Sequence, residues 1–79
     1  MSEARSPPAR VVARIRAASE RLGEMPYIGR TGAAPETREW VVTGLPYVIV
    51  YAPNPETDEV MIIGVYHGAQ TRPGQEHGQ

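Results

Sequence analysis

The sequence predicts an α+β fold: an N-terminal amphipathic helix packed on a three-stranded antiparallel β-meander. Apolar residues recur at helical spacing between residues 8 and 22. Three runs rich in Val, Ile, Tyr and Trp follow at 37–42, 47–52 and 59–67. The connections between these runs are too short to hold a crossover helix, so neighbouring strands must run antiparallel. A chain of 79 residues makes one domain, 1–79, and contains no cysteine to staple it.

The helix starts from Ser6-Pro7-Pro8, where Ser6 can cap and proline fits the first turn. Val11, Ile15, Ala18 and Leu22 then form the apolar stripe, widened by Val12 and bordered by Ser19. Arg16 and Glu20 stand at i,i+4, the spacing of a helical ion pair. Gly23 is positioned as the C-terminal cap, and Pro26 prevents the helix from resuming. Residues 25–36 contain Pro26, Gly29, Gly32 and Pro35 without a clear period and are expected to be a loop.

The loop Thr43-Gly44-Leu45-Pro46 joins the first two strands and pairs Val42 with Tyr47. That register puts Arg38, Trp40, Val42, Tyr47, Ile49 and Tyr51 on one face. Glu39, Val41, Val48, Val50 and Ala52 fall on the other. Both faces are apolar near their middle, and one helix covers only one of them. The second face is therefore expected to be covered by a partner, by a second copy in a homo-oligomer, or by nothing. The polar tail 71–79 is expected to fray.

The net charge of -1 conceals an asymmetry. Residues 1–38 hold seven arginines against four glutamates (+3), and residues 39–79 hold one arginine against five acids (-4). The basic half suits phosphates or an acidic protein segment, or is a solvated helix face. No apolar run approaches the ~20 residues that span a bilayer, and residues 1–10 lack the apolar core of a secretory signal. A cytoplasmic protein without a membrane partner is the expectation.

His67 is a candidate proton shuttle, weighed against an inert histidine at a strand end. With only His67 and His77 present, no metal site is expected, and no cofactor either. Tyr47, Tyr51 and Tyr66 could stack on bases but are better explained as core or interface residues. Trp40 is expected in the core, and would be an interface anchor if exposed. Arg30 and Arg38 flank the loop and either bind a partner's anions or tie the loop to Glu36 or Glu39. The stretch G-R-T-G (29–32) lacks the lysine, length and preceding strand of a phosphate loop.

Four segments in order carry a resemblance: P-Y-I-G-R-T-G (26–32), T-R-E-W-V-V (37–42), G-L-P-Y-V-I-V-Y (44–51) and I-I-G-V-Y-H-G-A-Q (62–70). Together they resemble the C-terminal two-thirds of a RelE/ParE toxin. R-V-V-A-R-I-R-A-A-S-E-R-L (10–22) is similar to that family's second helix, so the likeness spans roughly residues 9–72. Family members usually begin with a strand and a first helix, and this chain is expected to be an N-terminally short version.

The resemblance implies the toxin component of a bacterial type II toxin–antitoxin module, neutralised by a cognate antitoxin. Members that cut mRNA on the ribosome carry cations on the sheet and near its C-terminal end, which suits attack by a 2′-hydroxyl on phosphate. Here Val48 and Gln70 stand where such relatives have arginine. The cationic candidates that remain for catalysis are Arg38, His67 and Arg72. This pattern resembles the ParE branch, which implies growth arrest by binding and inhibiting DNA gyrase without an enzymatic step. Arg30, Arg38, Trp40, Tyr47 and His67 are then the candidates for target or partner binding. The alternatives are a RelE-type mRNA endonuclease, with ribosome and message as partners, and a shortened non-toxic member that acts only as a binding module.

Overall fold

The computed structural model describes residues 8–75, so the proposed Ser6-Pro7 cap, His77 and the last four residues lie outside the described part. Helix α1 spans Ala9–Glu24, and strands β1 (Arg30–Thr31), β2 (Arg38–Val41), β3 (Tyr47–Asn54) and β4 (Glu59–His67) follow. The strands form one antiparallel sheet in the order β1-β2-β3-β4. The α+β class holds, with four strands in place of three.

The helix differs from expectation at its end. Gly23 lies inside it, and Met25 closes it by donating its backbone N–H to Arg21 O. A Cβ at Gly23 would meet nothing within 4 Å. The helix therefore continues until Pro26 forbids another turn. Val11 and Leu22 are buried, but Val12, assigned to the apolar stripe, is 38% exposed. Among the described residues no ion pair joins Arg16 to Glu20.

The β2–β3 register is the one that Val42 and Tyr47 predict, with Trp40 opposite Ile49 and Val41 opposite Val48. Gly44, at φ 78, supplies the left-handed residue of their turn. Strand β3 runs through Pro53, two residues beyond the expected end at Ala52. Beyond Tyr51 it has β4 beside it but no longer β2, and proline is tolerated on such an edge. A bulge at Ile63 separates the pairs Val50–Gly64 and Tyr51–Ile62.

Strand β1 occupies part of the segment expected to be a loop, pairing Arg30 with Glu39 and Thr31 with Arg38. Two residues carry no periodic signal, so only tertiary contacts reveal this strand. The buried Tyr51 hydroxyl accepts the Gly29 N–H at 2.9 Å. A Cβ at Gly29 would stand 2.6 Å from that hydroxyl and 2.7 Å from Glu39 O. Only glycine lets the chain pass here.

Leu22 of the helix meets Val42, Ile49 and Tyr51 in the main core, flanked by Ile15, Ala18, Ile28, Trp40, Leu45, Tyr47 and Val60. The opposite face, expected to be covered by a partner, a second copy or nothing, is covered in part by the chain itself, with Val41 and Met61 left exposed. Val48, Val50 and Glu39 are buried on it. The Tyr66 ring lies against Gly64, and the C-terminal segment returns across this side. Within the tail expected to fray, Arg72 stands 3.4 Å from Glu39. Gly74 packs against the backbone of Ala33 and Ala34.

Tyr51→Phe removes the acceptor of the Gly29 N–H and is expected to cost about 1–3 kcal/mol in urea unfolding. A loss within error of zero would show that this bond does not hold the loop.

Candidate functional site

Glu39 is 5% exposed, and a carboxylate so deep in the protein must be paired. Its Oε1 receives Arg30 Nη2 at 3.0 Å and faces Arg72 Nε at 3.4 Å. The second contact is Coulombic, because Arg72 Nε makes no hydrogen bond. Arg72 Nη1 donates instead to the carbonyls of Gly68 at 3.1 Å and Gln70 at 3.4 Å. Arg30 is a surface side chain, 60% exposed, whereas Arg72 is 11% exposed. The expected tie of Arg30 to Glu39 is formed.

Arg38 lies on the other face, past the end of the helix. Its Nη1 donates to Gly29 O at 2.7 Å and Tyr27 O at 3.3 Å. The guanidinium sits 5.0 Å from the centre of the Tyr27 ring, a cation–π distance. Glu36 and Glu39, the expected tethers, make no ion pair with it. Arg38 lines a cleft of about 410 Å³ together with Tyr27, Thr31, Glu36, Thr37, Pro53 and Pro55.

Trp40 is half-buried against the core and lines a groove between α1 and β2 with Arg14, Ala18 and Arg21. Tyr47 and His67 pair across β3 and β4, with ring centroids 5.9 Å apart in an edge-on arrangement. His67 Nδ1 accepts the Ala69 N–H at 3.2 Å, and its own backbone N–H donates to Gln70 Oε1 at 2.5 Å. Gln70 thus folds the strand end back on itself.

The three catalytic candidates do not converge. Arg38 is opposite Tyr51 and His67 is opposite Tyr47, two strands and four residues apart. That spacing separates their Cα atoms by roughly 16 Å. Arg72 is on the opposite face of the sheet, committed to Glu39. No phosphate group could touch all three.

Strand β4 presents the most open apolar surface. Met61 is 63% exposed, Ile62 41%, Ile63 39% and Val65 40%. No described strand pairs with its outer edge. Helix α1 approaches β4, yet these four side chains stay at least 39% exposed.

Tyr27, Gly29 and Glu39 were not among the predicted site residues. Glu39 carried a usable signal, an acid alternating with Val41 on an apolar face. Nothing in the spacing brings Tyr27 to Arg38.

One helix on a four-stranded antiparallel sheet, with cations dispersed and an apolar edge open, defines a small domain of α+β class. Residues 2–72 match the family described as ParE toxin of type II toxin–antitoxin system, parDE. The chain belongs to that family. It is 43% identical over 65 residues to the protein named "Putative toxin Y4kP" of Sinorhizobium fredii (strain NBRC 101917 / NGR234). The alignment covers 82% of this chain but 65% of that relative, so the chain spans less than two thirds of its length. No solved structure matches.

Glu39→Gln leaves Arg72 nearly buried without its counter-charge and is expected to cost about 3 kcal/mol in urea unfolding. Arg30→Gln removes a surface partner and is expected to cost less than about 1 kcal/mol. Equal losses would contradict this ranking of the two pairs.

Proposed function

We propose that this chain acts as a growth-arresting toxin through binding, with DNA gyrase as its target and a cognate antitoxin as its neutralising partner. The observation that favours binding over cleavage is the dispersal of Arg38, His67 and Arg72 across two faces of the sheet. Cleavage by a 2′-hydroxyl needs a base, an acid and a charge stabiliser around one phosphate. Here Arg72 serves Glu39, Arg38 serves the Gly29 loop, and His67 Nδ1 is occupied by the Ala69 amide.

Antitoxin capture is supported by the apolar ridge of Ile62, Ile63 and Val65 beside a free strand edge. Such an edge accepts either an added strand or an amphipathic helix. Trp40, Tyr47 and His67 border the helix-side face and could extend the contact. A cytoplasmic location accompanies this reading. No helix among the described residues is long and apolar enough to cross a membrane.

Purified gyrase tests the target. Supercoiling of relaxed plasmid is expected to be inhibited at micromolar protein, with His67→Ala inhibiting as well as the parent. Full supercoiling at that concentration, or cleavage of translated messages that depends on His67, would contradict the proposal.

A further inference from the structure

We propose that the Arg38 cleft is a socket for a single carboxylate, the side chain of one aspartate or glutamate on a partner protein. The inference rests on the reading that this chain works by binding a protein, but not on which protein it is.

Arg38 differs from the other sheet-borne arginines in its pairing. Arg30 and Arg72 both meet Glu39, whereas Arg38 has no acidic partner among the described residues. Its guanidinium is nonetheless fixed. Nη1 is spent on the carbonyls of Gly29 and Tyr27, and Cζ sits over the Tyr27 ring, 5.0 Å from its centre. Among the described residues Nε and Nη2 make no hydrogen bond, and together they form the side-on edge that a carboxylate meets with two parallel bonds. An arginine already held in one rotamer loses little side-chain entropy when it binds.

The surroundings fit a side chain of that kind. Pro53, Pro55 and the half-exposed Tyr27 make apolar walls, and Thr31 adds a hydroxyl. A volume of about 410 Å³ admits a residue or two, not a whole helix. Glu36 lines the same cleft, and Glu56 and Asp58 stand in the adjoining turn. These acids oppose a phosphate dianion or the repeated charges of a nucleic acid more strongly than one monovalent carboxylate. The fork selects the carboxylate and the acidic rim excludes the polyanion.

The test uses the full chain with ¹⁵N-labelled arginine, titrated with blocked glutamate, blocked glutamine and inorganic phosphate. The Arg38 Nε–H resonance is expected to move saturably with blocked glutamate and to stay in place with blocked glutamine. Arg38→Lys keeps the charge without the fork, and binding read at the Thr31 amide should weaken roughly tenfold. Tyr27→Leu alters an exposed side chain that the fold does not need, and should weaken binding roughly threefold by freeing the guanidinium. An unmoved Nε–H at tens of millimolar glutamate would overturn the proposal. So would an equal response to glutamine, or tighter binding of phosphate, which would mark a phosphate site. None of these readouts involves toxicity, so failure of the gyrase assay and failure of the socket are separate results.

Discussion

The carboxylate of Glu39 is the constraint on which the rest of this small protein depends. It sits on β2 among Val48 and Val50, where burial makes an unpaired charge too costly to keep. Two arginines from distant parts of the chain answer it. Arg30 fastens the two-residue strand β1 to the sheet, and Arg72 draws the C-terminal segment across the second face. That segment then reaches Ala33 and Ala34 through Gly74, so both ends of the β1 loop are fixed by one acid. A domain this size has little core to spend, and a charge network that orders two otherwise weak segments serves in place of a larger core.

The arrangement divides the sheet by role. One face is partly covered by the chain's own tail and by Tyr66, while the helix covers the centre of the other. Among the open surfaces are the apolar residues of β4 and the cleft at Arg38. One is apolar and extended, the other small and built around one arginine. Fixing Arg72 at Glu39 also removes it from any catalytic role near His67. The same interaction thus orders the tail and separates Arg72 from the helix-side face.

Much of this was legible in the sequence. The helical stripe and the β-rich runs gave the elements, and the pairing of Val42 with Tyr47 gave the register that Trp40–Ile49 and Val41–Val48 follow. The strand β1 was not legible, because two residues cannot show a period and their pairing depends on Tyr51 and Glu39, both far along the chain. The contact of Arg72 was not legible for a related reason: the composition around it is that of a flexible end, and the buried acid lies far back in the chain. Gly23 showed the reverse error, a residue suited to capping that the helix simply passes through. Among the site residues, the dispersal of Arg38, His67 and Arg72 could not be read without strand pairing. The register nevertheless placed Arg38 opposite Tyr51, and Glu39 stood out as an acid on an apolar face.

The central claim is that Glu39 holds the C-terminal segment against the β1 loop. A nuclear Overhauser spectrum of the labelled chain tests it directly, through a cross-peak between the Gly74 α-protons and the Ala34 amide proton. The account predicts that peak in the parent protein and its loss in Arg72→Gln with the sheet intact. Absence of the peak from the parent, or its survival without Arg72, would contradict it.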